Sequence, residues 1–197
     1  MSRRGRPRGQ SGSRDRILAA ARSAFADHGY DRATIRRIAA EAGVDPALVH
    51  HYFGSKEDLF TAAVDVPSAP VAAIGSVFDR GTARAGEELA RLFLTVWEDE
   101  PSREALLGQL RRGLVEGSVS PIFREFVQRM LLPRITAHLE DPDRDLRAEL
   151  AAAQLIGVAI LRYVGRIEPV ASAPVERLVE MVAPRIQTYI DGSARSA

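Results

Sequence analysis

The chain has no cysteine, a single tryptophan and one lysine, Lys56, among 27 basic residues. The missing cysteine excludes disulfides, thiolate nucleophiles and Cys-ligated zinc. Long hydrophobic runs are also lacking. The longest strictly apolar stretch in the second half is Leu155 to Leu161, against about 20 residues for a membrane-spanning helix. Near the N-terminus, Arg14, Asp15, Arg16 and Arg22 cut the apolar core down to residues 17–21, too short for a secretion signal. Both features point to a protein of the cytoplasm with no membrane partner. Catalytic signatures are absent too: there is no His-Glu-x-x-His, no Gly-x-Ser-x-Gly and no phosphate-binding glycine loop. The four histidines are His28, His50, His51 and His138. Two of them are adjacent, but helical neighbours diverge by about 100°, so a metal site is not expected. An enzyme is disfavoured, and no cofactor is implied.

What is present fits one or two small globular domains: 197 residues, 46% apolar and 27% charged. The net charge of +1 hides a division. Residues 1 to 60 carry 11 basic and 7 acidic side chains and the rest carry 16 and 19, so a positive end precedes a negative body. Residues 1–13 are mostly Arg, Gly, Ser and Pro, a composition that cannot bury enough surface to offset the entropy of ordering. They read as a flexible basic arm. Within it Gly5-Arg6-Pro7, flanked by Arg4 and Arg8, resembles the core of an AT-hook, an extended segment that lays arginines in a narrow minor groove.

From Ser13, a candidate N-cap, Ile17, Ala21 and Phe25 recur every four residues as one stripe of a helix ending at Gly29. A short second helix carries Ile35, Ile38, Ala39 and Ala42 between Thr34 and Gly43, and a third opens with Asp45 as N-cap and Pro46 at its first position. Gly54-Ser55 stops the third helix, and Ser55 caps a fourth with Glu57 and Asp58 in its first turn. After Val66, Pro67-Ser68-Ala69-Pro70 reads as a joint. Six further helices are predicted over about 71–80, 86–99, 102–116, 120–139, 143–166 and 174–191, with a kink or break at Pro133 and at Pro184. The fold class is all-α, with a domain boundary near residue 66.

Two short helices joined by Gly43-Val44 behind a longer helix have the layout of a helix-turn-helix. On the third helix Val49 and Phe53 share a core-facing side, while Ala47, His50 and His51 share the opposite one. That outer face pairs a small residue with hydrogen-bonding imidazoles, which suits entry into a major groove ~12 Å wide. Tyr52 is expected to be partly exposed. Arg36, Arg37, Thr34 and Lys56 surround this face and are able to meet phosphates.

The run Ala33-Thr34-Ile35-Arg36-Arg37-Ile38-Ala39-Ala40-Glu41-Ala42-Gly43-Val44, followed by His51-Tyr52-Phe53-Gly54-Ser55-Lys56-Glu57-Asp58-Leu59, resembles the DNA-binding signature of the TetR family of bacterial transcriptional regulators. The resemblance covers about residues 14 to 62. It implies an all-helical homodimer whose C-terminal domain holds a small-molecule pocket, with occupancy weakening operator binding. It also implies a phosphate contact for Lys56, backbone positions for Thr34 and His51, and base-facing positions for residues 45–50. There the chain departs from the family: Asp45-Pro46-Ala47-Leu48-Val49-His50 stands where serine-lysine-glycine-threonine-leucine-tyrosine is commoner. The operator sequence is therefore not readable from the resemblance.

For the remainder, the helix over Leu150 to Leu161 is apolar nearly all round and needs cover on more than one side. Ala153, Gly157 and Ile160, with Leu178, Val182 and Ile186 of the last helix, are candidate dimer contacts across a two-fold axis. Phe78, Phe93, Trp97, Leu110, Phe123 and Phe126 are candidate walls of an apolar effector pocket, with Gln109, Arg111 or His138 as possible polar anchors. Core packing is an equally good account of each of them. The preferred function is a repressor on double-stranded DNA released by a small apolar effector. The alternative is an architectural protein coating AT-rich DNA, with a helical body that merely dimerises.

Overall fold

The computed structural model describes residues 8–66, 68–116, 120–140 and 143–192, and for 8–11, 68 and 109–116 it describes the backbone alone. Arg4 and Arg6, and the minor-groove contact expected of them, lie outside the described residues, as do the side chains of Arg8, Gln109, Leu110 and Arg111. Every regular element among the described residues is helical: α1 (Arg8–Arg32), α2 (Ile35–Ala42), α3 (Pro46–Phe53), α4 (Lys56–Val64), α5 (Ser68–Ser76), α6 (Ala85–Glu98), α7 (Glu100–Glu116), α8 (Pro121–Phe126), α9 (Leu132–Thr136), α10 (Arg144–Ala159) and α11 (Val175–Asp191). Contacts divide the chain into one unit of Met1–Val66 with Ser120–Phe126 and a second of Pro67–Val119 with Val127–Ala197. No single helix among the described residues is long and apolar enough to cross a membrane.

The first unit is built on the stripe visible in the sequence. Ile17, Ala21 and Phe25 are buried against Ile38, Ala39, Val49, Leu59 and Phe60, each large side chain contributing about 1.5–3 kcal/mol on burial. Phe25 meets the edge of Phe60 at 4.7 Å, and Phe60 meets Phe126 at 6.2 Å. Among the described residues helix α1 runs from Arg8, so Ser13 lies inside it and not at its N-cap, and residues 8–12 are helical where a flexible arm was expected. A helix with a buried nucleus propagates past its apolar stripe, because each added residue adds one hydrogen bond. At the other end, Gly29 takes φ 72° and ψ 169° and breaks the helical path three residues before Arg32.

In the second unit α6 and α11 approach so closely that a Cβ at Gly86 would lie 2.6 Å from Gln187 N and 2.7 Å from Ala183 O. Leu89, Leu94, Leu155, Leu178, Val179 and Ile186 fill the core. Leu178 and Ile186 are therefore interior residues, not the dimer contacts expected of them: the apolar stripe of α11 is used on α6 in the same chain. Leu146, Leu150, Ile156, Ile160, Leu161 and Met181 are exposed. Two turns of π-helix, Val127–Leu131 and Ile160–Val164, interrupt the regular spacing. The first falls just before Pro133, where a break was expected. Around Pro184, by contrast, α11 stays helical from Val175 to Asp191.

Candidate nucleic-acid interface

Helices α2 and α3 are short, and each is defined at its start by one side chain. Thr34 Oγ1 accepts from Arg37 N at 3.3 Å, and Asp45 Oδ1 accepts from Ala47 N at 2.7 Å. Gly43, at φ 64°, closes α2 in the left-handed conformation and turns the chain into α3. Val49 and Phe53 anchor α3 in the core, at 1% and 9% exposure. Ala47, His50 and His51 are exposed, while Leu48, Tyr52 and Pro46 are partly buried. The outer face inferred for α3 is thus the face it presents. Arg36 and Thr34 are exposed beside it, and Arg37 pairs with Glu41 at 3.1 Å.

His50 Nδ1 lies 2.8 Å from the carbonyl oxygen of Gly54. A carbonyl only accepts, so Nδ1 carries the proton, and Nε2 of the singly protonated ring is an acceptor. The contact also ties the imidazole to the backbone that ends α3. His51 and Tyr52 meet edge to face at 5.5 Å.

Lys56 opens α4 behind a full capping box. Ser55 Oγ accepts from Asp58 N at 3.0 Å, and the Asp58 carboxylate accepts from Ser55 N at 3.3 Å and Ser55 Oγ at 2.6 Å. The Lys56 ammonium sits 4.4 Å from the centre of the Tyr30 ring and donates to Asp31 O at 3.4 Å. Tyr30 packs on Phe25 at 6.0 Å and on Phe60 at 5.0 Å, and its backbone N–H is held by both carboxylate oxygens of Glu125, each at 2.9 Å. Neither Tyr30 nor Glu125 is marked by a local sequence signal. They are 95 residues apart, and only the packing of α8 on α1 and α4 brings them together.

The side chain of Leu110 lies outside the described residues, and the other five candidate pocket residues are divided between the units. Phe123 and Phe126 belong to the first unit, where Phe126 is buried beside Phe60. In the second unit Phe93 lies 5.9 Å from Trp97, which stacks on Tyr163 at 5.1 Å, and Phe78 stacks on His138 at 4.3 Å. Of the dimer candidates, Ala153 and Ile160 are exposed, and Gly157 and Val182 are partly buried. Among the described residues no group of three or more His, Asp or Glu is placed to hold a metal ion.

Residues 17–63 match the family model described as bacterial regulatory proteins, tetR family, and residues 83–190 match that of the tetracyclin repressor-like C-terminal domain. The HTH-type transcriptional repressor AcnR of Corynebacterium glutamicum is 42% identical over 64 residues, 32% of this chain and 34% of AcnR. The match thus spans about a third of that relative's length. The HTH-type transcriptional regulator BetI of Agrobacterium fabrum is 30% identical over 178 residues, 85% of this chain and 84% of BetI. A solved TetR-family regulator from Streptomyces coelicolor is 35% identical, aligns over 95% of this chain and 99% of its own, and superposes with a TM-score of 0.56.

Proposed function

The chain belongs to the TetR family of bacterial transcriptional regulators, and from that premise we propose that it is a homodimeric repressor which binds a near-palindromic operator through α3 and leaves it when a small, largely apolar effector binds the second unit. The observation that carries this reading is the outer face of α3. Ala47, His50 and His51 stand exposed on a helix fixed from behind by Val49 and Phe53, with Thr34, Arg36 and Lys56 arranged around them. An operator target also puts the working protein in the cytoplasm.

Within this reading Lys56, Thr34 and Arg36 meet phosphates, and Asp45, Pro46, Ala47, Leu48 and His50 meet base edges. His50, with its proton committed to Gly54, offers Nε2 as an acceptor, so its natural partner is an exocyclic amine of cytosine or adenine. The row Leu146, Leu150, Ala153, Gly157 and Ile160, on α10 and the first residue after it, recurs at spacings of three and four with every member but Gly157 exposed and supports this side of α10 as the dimer face, with Val182 of α11 as a further contact. Phe93 and Trp97 are the aromatic candidates for the effector. To weaken operator binding ~100-fold, the effector needs about 2.7 kcal/mol of preference for the form that does not bind DNA.

Selection of bound duplexes from a random pool tests the proposal. The expected result is a two-fold symmetric site with half-sites at least about one helical turn, ~34 Å, apart. Equal affinity for random and selected duplexes would overturn it in favour of an architectural AT-rich DNA-binding protein. Lys56→Ala is expected to weaken all sequences alike and lower the salt slope by about one, and His50→Ala to change base preference at one position per half-site.

A further inference from the structure

We infer that Glu125 is a positioning residue for DNA binding: by holding the Tyr30 N–H it fixes the short segment after Gly29 that places the Lys56 ammonium for its phosphate. The inference rests on the operator-binding reading of Lys56, but its central geometric claim can be read without DNA.

At Gly29 the backbone turns to φ 72° and ψ 169°, a region that side-chain-bearing residues rarely adopt. The turn directs the next amide, Tyr30 N–H, to the Glu125 carboxylate, which accepts it with both oxygens at 2.9 Å. An ionised acceptor makes this bond stronger than a neutral one would. Gly29 itself lies against the same carboxylate, since a Cβ there would be 3.4 Å from Oε1. The segment held in this way supplies both groups that meet Lys56. The Tyr30 ring lies 4.4 Å from Nζ, and Asp31 O accepts from Nζ at 3.4 Å. Phe25 and Phe60, exposed to 1% and 0%, support the ring.

A lysine head on a four-carbon stem loses conformational freedom when it grips a phosphate, and a head already located loses less. The ammonium has three donors, so the bond to Asp31 does not exhaust it. Glu125 therefore acts on the phosphate through Tyr30 and Asp31, and no contact of its own with DNA is required.

Lys56 is the chain's only lysine, so lysine labelled with carbon-13 gives a single side-chain ε-methylene signal in the full chain. In the free protein that signal is expected upfield, shifted by the Tyr30 ring, with Tyr30→Leu setting the position of complete loss. Glu125→Ala should move it most of the way to that position, and Glu125→Gln, which keeps one acceptor oxygen, should move it less. On a duplex selected by the wild-type chain, Glu125→Ala should weaken binding about fivefold, in the lower part of the range for coupled neighbours. It should reduce the salt slope as Lys56→Ala does and add little to Lys56→Ala in the double variant. If Glu125→Ala does not fold, Glu125→Asp, which keeps the charge but withdraws it from Tyr30 N–H, carries the same comparisons. A Lys56 signal that stays put in the folded variant overturns the inference, as do losses from Glu125→Ala and Lys56→Ala that multiply. If the wild-type chain selects no duplex, the operator reading fails and takes the phosphate role with it; the labelled signal still decides whether Glu125 locates the lysine.

Discussion

The two units start their helices by different means. In the first, α2, α3 and α4 each begin on a side chain that accepts from an amide two or three residues away: Thr34, Asp45 and Ser55. In the second, α6, α9, α10 and α11 have no side-chain cap, and among the described starts α7 alone begins locally, with Asp99 accepting from Ser102 N at 3.1 Å. Distant side chains hold this unit together. Arg162 donates to the carbonyls of Val170, Ala171 and Ala173 and pairs with Glu98 at 2.9 Å; Gln187 joins Gly86 N to Thr82 O; Arg91 reaches Glu176 at 2.6 Å. A unit whose elements are set locally keeps a fixed reading face. A unit knit by long-range polar contacts concentrates its stability in a few side chains. The difference predicts where single substitutions do most damage.

The largest loss is expected at Gly86→Ala. Helix propensity would favour alanine by up to about 1 kcal/mol, but the added methyl meets the backbone of α11 at 2.6 and 2.7 Å, and backbone cannot step aside. Overpacking typically costs roughly 1–3 kcal/mol and occasionally more; a clash with two backbone atoms belongs above that range, at about 4 kcal/mol, so a net loss near 3 kcal/mol is expected in urea unfolding. Next comes Arg162→Met. Its side chain is only 11% exposed, and its removal takes a donor from three carbonyls and the ion-pair partner from Glu98. Because Glu98 is itself 42% exposed, the loss falls at about 2 kcal/mol, below that of a fully buried pair. Ser55→Ala removes one end of a capping box and should cost about 1 kcal/mol. A Ser55→Ala loss larger than that of Arg162→Met would reverse the comparison.

The same division explains what could be read from the sequence. Thr34, Gly43, Asp45-Pro46 and Gly54-Ser55 were legible because each acts within a few residues of itself, and the inward side of α3 followed from the spacing of Val49 and Phe53. Glu125 was not legible, because its partner is 95 residues away and a carboxylate on a short helix has the pattern of any solvated one. Leu178 and Ile186 were recognisable as buried, but a stripe of apolar residues does not say whether it faces a neighbour in the same chain or a second copy. The place of Phe123 and Phe126 was not legible for a related reason: nothing at residues 120–126 shows that this one turn and a half belongs with α1 and α4. The π-helical turns also left no trace, since one extra residue per turn alters no residue type.

The smallest expected effect appears only in alkali, and it belongs to the second unit. Tyr163 donates to Glu98 Oε1 at 2.8 Å and stacks on Trp97. Burial, and then the hydrogen bond to the carboxylate, raise its pKa from 10.0 to about 12, partly opposed by Arg162. Burial works against the charge of Glu98 as well, but hydrogen bonds from Tyr163 and Arg162 outweigh it and hold that carboxyl below its ordinary value. For the tyrosine, the unfolded chain releases its proton near pH 10 and the folded chain near pH 12. Its contribution to stability is therefore complete below pH 10 and is lost as the pH rises toward 12. Tyrosinate absorbance should show a late step from Tyr163, and Tyr163→Phe should remove that step and flatten the fall in stability over the same interval. If the late step survives in Tyr163→Phe, the raised tyrosine is not Tyr163, and the contrast between locally capped and remotely tied helices loses this titratable marker.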